Sequence, residues 1–322
     1  MMAIVNLAQI KDALNKIDPV QGVIRCIEEG FIDYSQGKVV VPPVGEMTFD
    51  NPKGDTHIKY GFIKHDDYFV IKIASGFYEN RKLGLPTSHG MILIFSQKTG
   101  ELICLLLDEG YLTQIRTAAA GAVVGKYFAP KKISRVGVFG AGIQGRLQVE
   151  YLKYVRDFRD VIVWCINQEE ADRYRADMEP KGFKVMTTVD PEEIASTCNV
   201  IVTATPSCKP LLAADQIRKG THITAMGSDT VEKQELDSAI LYKADKLIVD
   251  SVSQGQLRGE VYHAIKNGFI KKETPIELGT AIVDTKLHRQ TEDEITVVDL
   301  TGVAVQDIQI SKLVWKAISG MA

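Results

Sequence analysis

The sequence predicts an α/β protein: a doubly wound parallel sheet joined to an α+β domain. Three observations predict it. Six short apolar strands alternate with helices after residue 130. The turn Gly140-Ala141-Gly142-Ile143-Gln144-Gly145 follows the first of them. Closely spaced β-rich runs fill the region before residue 110. Taken in order, residues 7–37 predict helix interrupted at Asp18-Pro19, with Val20, Val23, Ile24, Ile27 and Phe31 forming one apolar stripe. From Val39 to Leu107 the runs VVVPP, THIKYGFI, YFVIKIAS, GMILIF and ELICLLL are separated by turns such as Lys98-Thr99-Gly100. Strands this close together pair antiparallel or in a mixed sheet, so residues 1–110 form an α+β unit. A small-residue helix over 111–129 stops at Pro130. The alternating strands are Val136–Phe139, Val161–Trp164, Phe183–Met186, Val200–Thr203, His222–Ala225 and Lys246–Val249, and an amphipathic helix from Thr301 to Ile318 ends the pattern.

Composition narrows the function. The 322 residues suit two domains, and 45% apolar with 25% charged residues is ordinary for a globular chain. A net charge of −3 gives no basic face, so no nucleic-acid partner is expected. Five cysteines without a CxxC argue against a disulfide framework or zinc knuckle and suit reduced thiols in the cytoplasm. No HExxH or His/Cys cluster suggests a metal. The N-terminus has no signal-peptide pattern, and the longest apolar run, Leu102 to Leu107, is far short of the roughly 20 residues of a membrane span.

The glycine turn carries the first functional reading. The strand ISRVGVF runs into it and the helix QGRLQVEYLKYV leaves it, which is the setting a dinucleotide-binding GxGxxG requires. Gly140 permits the tight turn, Gly142 lets backbone approach a pyrophosphate, and Gly145 lets helix and strand pack closely. The helix start, with Ile143 and Gln144, offers free amides to phosphate. The next strand ends in Trp164-Cys165-Ile166-Asn167, without the acid that usually holds the ribose 2′-hydroxyl. Asn167 can hydrogen-bond either cofactor, so NAD and NADP both remain open.

Several stretches together resemble the ornithine cyclodeaminase/mu-crystallin family, which includes alanine dehydrogenases and imine or ketimine reductases: VIKIASGFYENRKLGLPTSHGMILIF, LLLDEGYLTQIRTAAAGAVV, VGVFGAGIQG, VTATPS, AMGSDTVEKQELD and DLTGVAVQD. The resemblance spans about residues 39–310. It implies a substrate-binding and dimerisation domain over 1–115 with 301–322, a Rossmann domain over 116–300 that binds NAD or NADP, a homodimer, and a small amino acid or imine as substrate.

It also implies roles for individual residues. Lys72, on a strand where it could otherwise snorkel to the surface, would contact the substrate carboxylate and help move protons. Arg116, in RTAAA, would bind the α-carboxylate through its planar fork. Thr117 would face the cofactor, as would Thr87, Ala204, Thr205, Gly227 and Val303. Asp229 would be the general acid/base; its alternative is an N-cap for the segment that follows. Two positions depart from the cyclodeaminase pattern. Pro42-Pro43-Val44 stands where many members have PPR. Lys59 stands in a region where cyclodeaminases place an acid for the distal amine. A lysine there repels a cationic side chain and attracts an anionic one, unless it is a solvent-facing strand residue. The expected activity is therefore reduction of an imine to an amino acid, with iminosuccinate as a candidate. The alternatives are ornithine cyclodeaminase and a non-enzymatic ligand carrier.

Overall fold

The computed structural model describes residues 2–320. These divide into two compact units. One runs to Thr117 and resumes at Val303; the other spans Ala118–Gly302.

The first unit opens with strand β1 (Ala3–Asn6), helices α1 (Leu7–Lys16) and α2 (Gln21–Ser35), and strands β2 (Val39–Val40), β3 (Gly45–Asp50), β4 (Lys53–Ile63), β5 (Tyr68–Gly76), β6 (Ser88–Ser96) and β7 (Leu102–Leu107). The sheet order is β1-β7-β6-β5-β4-β2, with β3 also paired to β4. Every pair is antiparallel except β1 with β7, so the sheet is mixed. Asp18-Pro19 separates the two helices, and Val23, Ile24, Ile27 and Phe31 of α2 are buried. The C-terminal helix, Ala304–Ser319, packs on α1, α2, β4 and β5. Its approach to α2 is close: a Cβ on Gly30 would stand 2.9 Å from Gln309 Cγ. One sheet face is thus covered, and alternation buries Lys59, Gly61, Ile63, Val70, Lys72, Ile92, Ile94, Cys104 and Leu106 beneath the helices. β1 and β3 lie outside the expected runs.

Helix α3 (Tyr111–Phe128) leads into the second unit. Its small residues have a packing reason. A Cβ on Gly121 would strike Gln148, and one on Gly125 would strike Leu152, both on helix α4 (Ile143–Leu152). The unit's main sheet follows strand β8 (Val136–Phe139), β9 (Asp160–Trp164), helix α5 (Gln168–Met178), β10 (Lys184–Thr188), α6 (Pro191–Thr197) and β11 (Val200–Thr203). The chain continues through β12 (Cys208–Leu212), β13 (His222–Ala225), β14 (Gln234–Leu236), α7 (Ser238–Lys243), β15 (Lys246–Val249), α8 (Val252–Gly255), α9 (Gly259–Lys266), β16 (Ile276–Glu277), α10 (Leu278–Val283) and β17 (Thr296–Asp299), β12 and β14 pairing apart from the main sheet. Eight strands pair in parallel in the order β10-β9-β8-β11-β13-β17-β15-β16. This is the doubly wound sheet the alternation predicts, with two strands more than the six expected. β17 slots between β13 and β15, and β16 forms the edge. The chain reverses direction across the sheet between β8 and β11, where such folds bind dinucleotides. The five cysteines are free, four of them buried. Among the described residues no helix is long and apolar enough to cross a membrane, and no cluster of His, Cys, Asp and Glu could hold a metal.

Candidate active site

In the first unit, strand register brings the two predicted lysines together. Lys59 and Lys72 stand directly opposite each other on β4 and β5, on the covered face, and both are buried. Two like charges facing each other across a strand pair are unfavourable without a counter-charge. The C-terminal helix supplies one. Asp307 Oδ1 lies 3.0 Å from Lys72 Nζ and 3.2 Å from Arg116 Nε. Arg116 also donates from Nη1 to Gln306 Oε1 at 2.7 Å. Arg116 is in turn fixed by its helix: Asp108 Oδ2 accepts from Leu112 N at 2.9 Å and so caps α3. Burial pushes the Asp108 carboxyl up.

The electrostatics follow from crowding. Burial, with Arg116 and Lys59 nearby, pushes Lys72 down to about 7, against the pull of Asp307. Burial acts to raise Asp307, but the charges of Lys72, Arg116 and Lys59 overcome it and hold the carboxyl low. Lys59, Lys72 and Arg116 thus gather around Asp307, with Asp108 a further buried carboxyl close to Lys72. Such a cluster is stabilised by a further anion, and a carboxylate matches the arginine fork. Lys59 is therefore not a solvent-facing strand residue.

In the second unit, β8 ends in the predicted turn. Gly140 takes φ +107°, and a Cβ there would stand 2.6 Å from Ala204 O. A Cβ on Gly145 would strike Gly140 O. Tyr174 Oη donates to Gly145 O at 3.1 Å from beneath. A Cβ on Gly142 would meet no atom within 4 Å, and no side chain caps α4. Open space beside an uncapped helix N-terminus is what a phosphate needs, so these residues fit a dinucleotide pyrophosphate. Ile143 is exposed at that turn, and Gln144 accepts from Gln148 Nε2 at 3.2 Å. Asn167 caps α5, accepting from Glu169 N at 2.9 Å.

At the ends of β11 and β13, Thr205 and Gly227 come together around Glu235, while Ala204 N donates to Phe139 O at 2.9 Å. Glu235 Oε1 accepts from Thr205 N at 2.6 Å and Thr205 Oγ1 at 2.7 Å; its Oε2 accepts from Gly227 N at 2.9 Å. Burial pushes Glu235 up while these donors pull it down, and the net direction is up. Two residues past Gly227, Asp229 Oδ1 lies 2.7 Å from Lys233 Nζ, with its side chain 39% exposed. No helix starts there, which removes the N-cap alternative; the cap of the next helix is Asp237. The turn at Thr301-Gly302 is fastened by Asp250, whose oxygens accept from Thr301 Oγ1 at 3.0 Å and Gly302 N at 2.6 Å. Val303, buried, is the N-cap residue of the C-terminal helix. Thr87 and Thr117, in the first unit, are half-buried; Thr87 O accepts from Phe77 N at 2.8 Å.

Asp307, Gln306, Asp108, Glu235 and Asp250 were not singled out by sequence. The signal for the first two was present, because both end the DLTGVAVQD stretch.

The ornithine cyclodeaminase/mu-crystallin family model matches residues 6–321. The chain belongs to this family. An alanine dehydrogenase of Archaeoglobus fulgidus is 35% identical, covering 91% of this chain and 89% of the relative. An iminosuccinate reductase of Paracoccus denitrificans is 31% identical, covering 91% of each. Among solved structures, an archaeal alanine dehydrogenase dimer with bound NAD has TM-score 0.88 at 31% identity, covering 99% of this chain and 97% of the other. The Thermococcus litoralis Delta(1)-pyrroline-2-carboxylate reductase, in complex with NADH and L-proline, has TM-score 0.90 at 27% identity, covering 99% and 98%.

Proposed function

We propose that this chain is an NAD(P)-dependent oxidoreductase that reduces the imine of a small, dicarboxylic α-amino acid, iminosuccinate being the first candidate. The observation that carries the reading is the buried Lys59–Lys72 pair beside Arg116, with Asp307 as their shared carboxylate. Arg116 and Lys72 suit an α-carboxylate, and Lys59, directly opposite Lys72 on the same face, is placed to meet a second one. The same lysine disfavours the cationic side chain of ornithine, and the cyclodeaminase alternative falls behind for that reason. The dicarboxylic imine is shared in kind with the substrate named for the Paracoccus relative.

When bound, a nicotinamide would supply the hydride for the C=N carbon. The residues do the rest. Arg116 and Lys72 grip the α-carboxylate and fix the orientation of the carbon beside it. Lys59 holds the distal carboxylate. Asp229 delivers the proton that the nitrogen takes up as the C=N bond becomes C–N, and recovers one from water. The glycines of the β8 turn and the start of α4 would hold the pyrophosphate, and Thr205 and Gly227 would face the nicotinamide. The unit ending at Thr117 is the substrate and dimerisation domain. The sheet face opposite the helices presents Phe69, Ile71, Ile73, Leu93, Phe95 and Leu105, all half-buried, and a second copy of the chain is the occupant we assign to it, as the archaeal relative's dimer suggests. An I71D variant should then elute as a monomer in light scattering, whereas an unchanged mass would remove this face from the interface.

The test follows nicotinamide absorbance in mixtures of protein, NADH or NADPH, concentrated ammonium at alkaline pH, and oxaloacetate, pyruvate or glyoxylate. Oxidation with oxaloacetate should be fastest, and D229N should lower turnover by about 10²–10⁴-fold while cofactor affinity holds. No oxidation with any oxoacid would overturn the open-chain imine reductase reading.

A further inference from the structure

Glu235 lies outside every role assigned above, yet it is fully buried and accepts from three donors on two different loops. One loop follows β11 and the other follows β13. Their approach is tight, since a Cβ on Gly227 would strike Thr205 O and come within 2.5 Å of Glu235 Oε2. Glu235 is itself held. Its own N–H donates to Glu260 Oε1 at 2.7 Å, and Leu236 N donates to Glu260 Oε2 at 3.2 Å. A buried carboxylate on α9 therefore anchors β14, and β14 aims a second buried carboxylate at the two loops.

The position of those loops gives the chain of carboxylates a meaning. In a doubly wound sheet each half takes one mononucleotide, and the strand after the glycine turn marks the adenosine ribose. Here β8, β9 and β10 form that half, and β11 and β13 belong to the other. We propose that Glu235 is a positioning residue for the nicotinamide half of the cofactor: it clamps Thr205 and Gly227 so that their loops present one fixed surface. This rests on the cofactor reading above and adds a residue to it. A glutamine at 235 turns one acceptor into an NH₂ group that meets a backbone N–H donor to donor, so one loop loses its anchor.

The test measures equilibrium binding by calorimetry on the full-length chain, with NADH (or NADPH, whichever the wild type prefers) and with ADP-ribose, which lacks the nicotinamide. In E235Q the affinity for NADH should fall about tenfold, the order expected for one lost charge-assisted hydrogen bond, while that for ADP-ribose stays within about twofold. E235D, which keeps the charge, should recover part of the loss. If E235Q does not fold, E235D carries the same comparison with a smaller NADH loss. Equal weakening of both ligands would assign Glu235 a general structural role and overturn the proposal, as would unchanged NADH affinity. A wild type that binds neither ligand would overturn the cofactor reading itself, and this inference with it.

Discussion

Both units bury charge, and they bury it differently. In the second unit the buried charges are carboxylates, and backbone amides fill them: Glu235 accepts from Thr205 and Gly227, Glu260 from Glu235 and Leu236, Asp250 from Gly302. In the first unit three cations, Lys59, Lys72 and Arg116, gather around Asp307. A charge satisfied by its own backbone fixes a loop. A cluster of cations gathered in one place is set to meet an anion. In the proposed function the glutamates shape loops of the second unit, and the lysines and arginine of the first receive the substrate carboxylates.

The comparison breaks most readily at Arg116. R116K keeps the charge and loses the fork, so kcat/KM for the oxoacid should fall about a hundredfold, mostly through KM; a change of less than threefold in steady-state assays would remove Arg116 from the receptor. D307N comes next. It frees Lys72 and Arg116 from their shared anchor, so KM should rise about thirtyfold while NADH affinity is retained, a split that equilibrium binding with the cofactor would check. K59M should cost about tenfold in KM for a dicarboxylic substrate and little for pyruvate; equal losses for both would mean that Lys59 reads no distal carboxylate.

The smallest effect is pH-dependent. Lys72 is pushed down to about 7, so it carries its charge below that pH and loses it above. KM for the carboxylate substrate should rise by roughly threefold to tenfold as the pH climbs through that value, because one buried cation is neutralised, and the rise should flatten in K72M. Stability moves in the opposite sense. Between about 7 and the ordinary lysine value of 10.5 the unfolded chain holds a proton that the folded chain does not, so folding strengthens with pH across that window. Urea unfolding at the two ends of the window should show the gain in the wild type and not in K72M.

Much of this was legible in the sequence because it is local. β8, β11, β13 and β15 fall where apolar runs stand between breakers, and the glycine turn is a contiguous motif. β17 was missed because TVVD is four residues after a polar stretch, and only its place between β13 and β15 makes it a core strand. Lys59 was ambiguous because one residue of register decides its face; pairing with Lys72 resolves it. Asp307 meets Lys72 and Arg116 through contacts between distant segments of the chain, which no spacing rule reaches. Glu235 sits in VEKQELD, a run whose polarity suggests surface. It is buried because its partners are amides on two other loops.

The measurement that bears most directly on the receptor is a calorimetric titration of succinate, butyrate and 1,4-butanediol into the protein saturated with NADH. Succinate should bind most tightly, butyrate more weakly and the diol not measurably; K59M should bring succinate down to the level of butyrate, and R116K should weaken both. Equal binding of succinate and butyrate in the wild type, or succinate binding that R116K leaves untouched, would contradict a carboxylate receptor built from Lys59, Lys72 and Arg116.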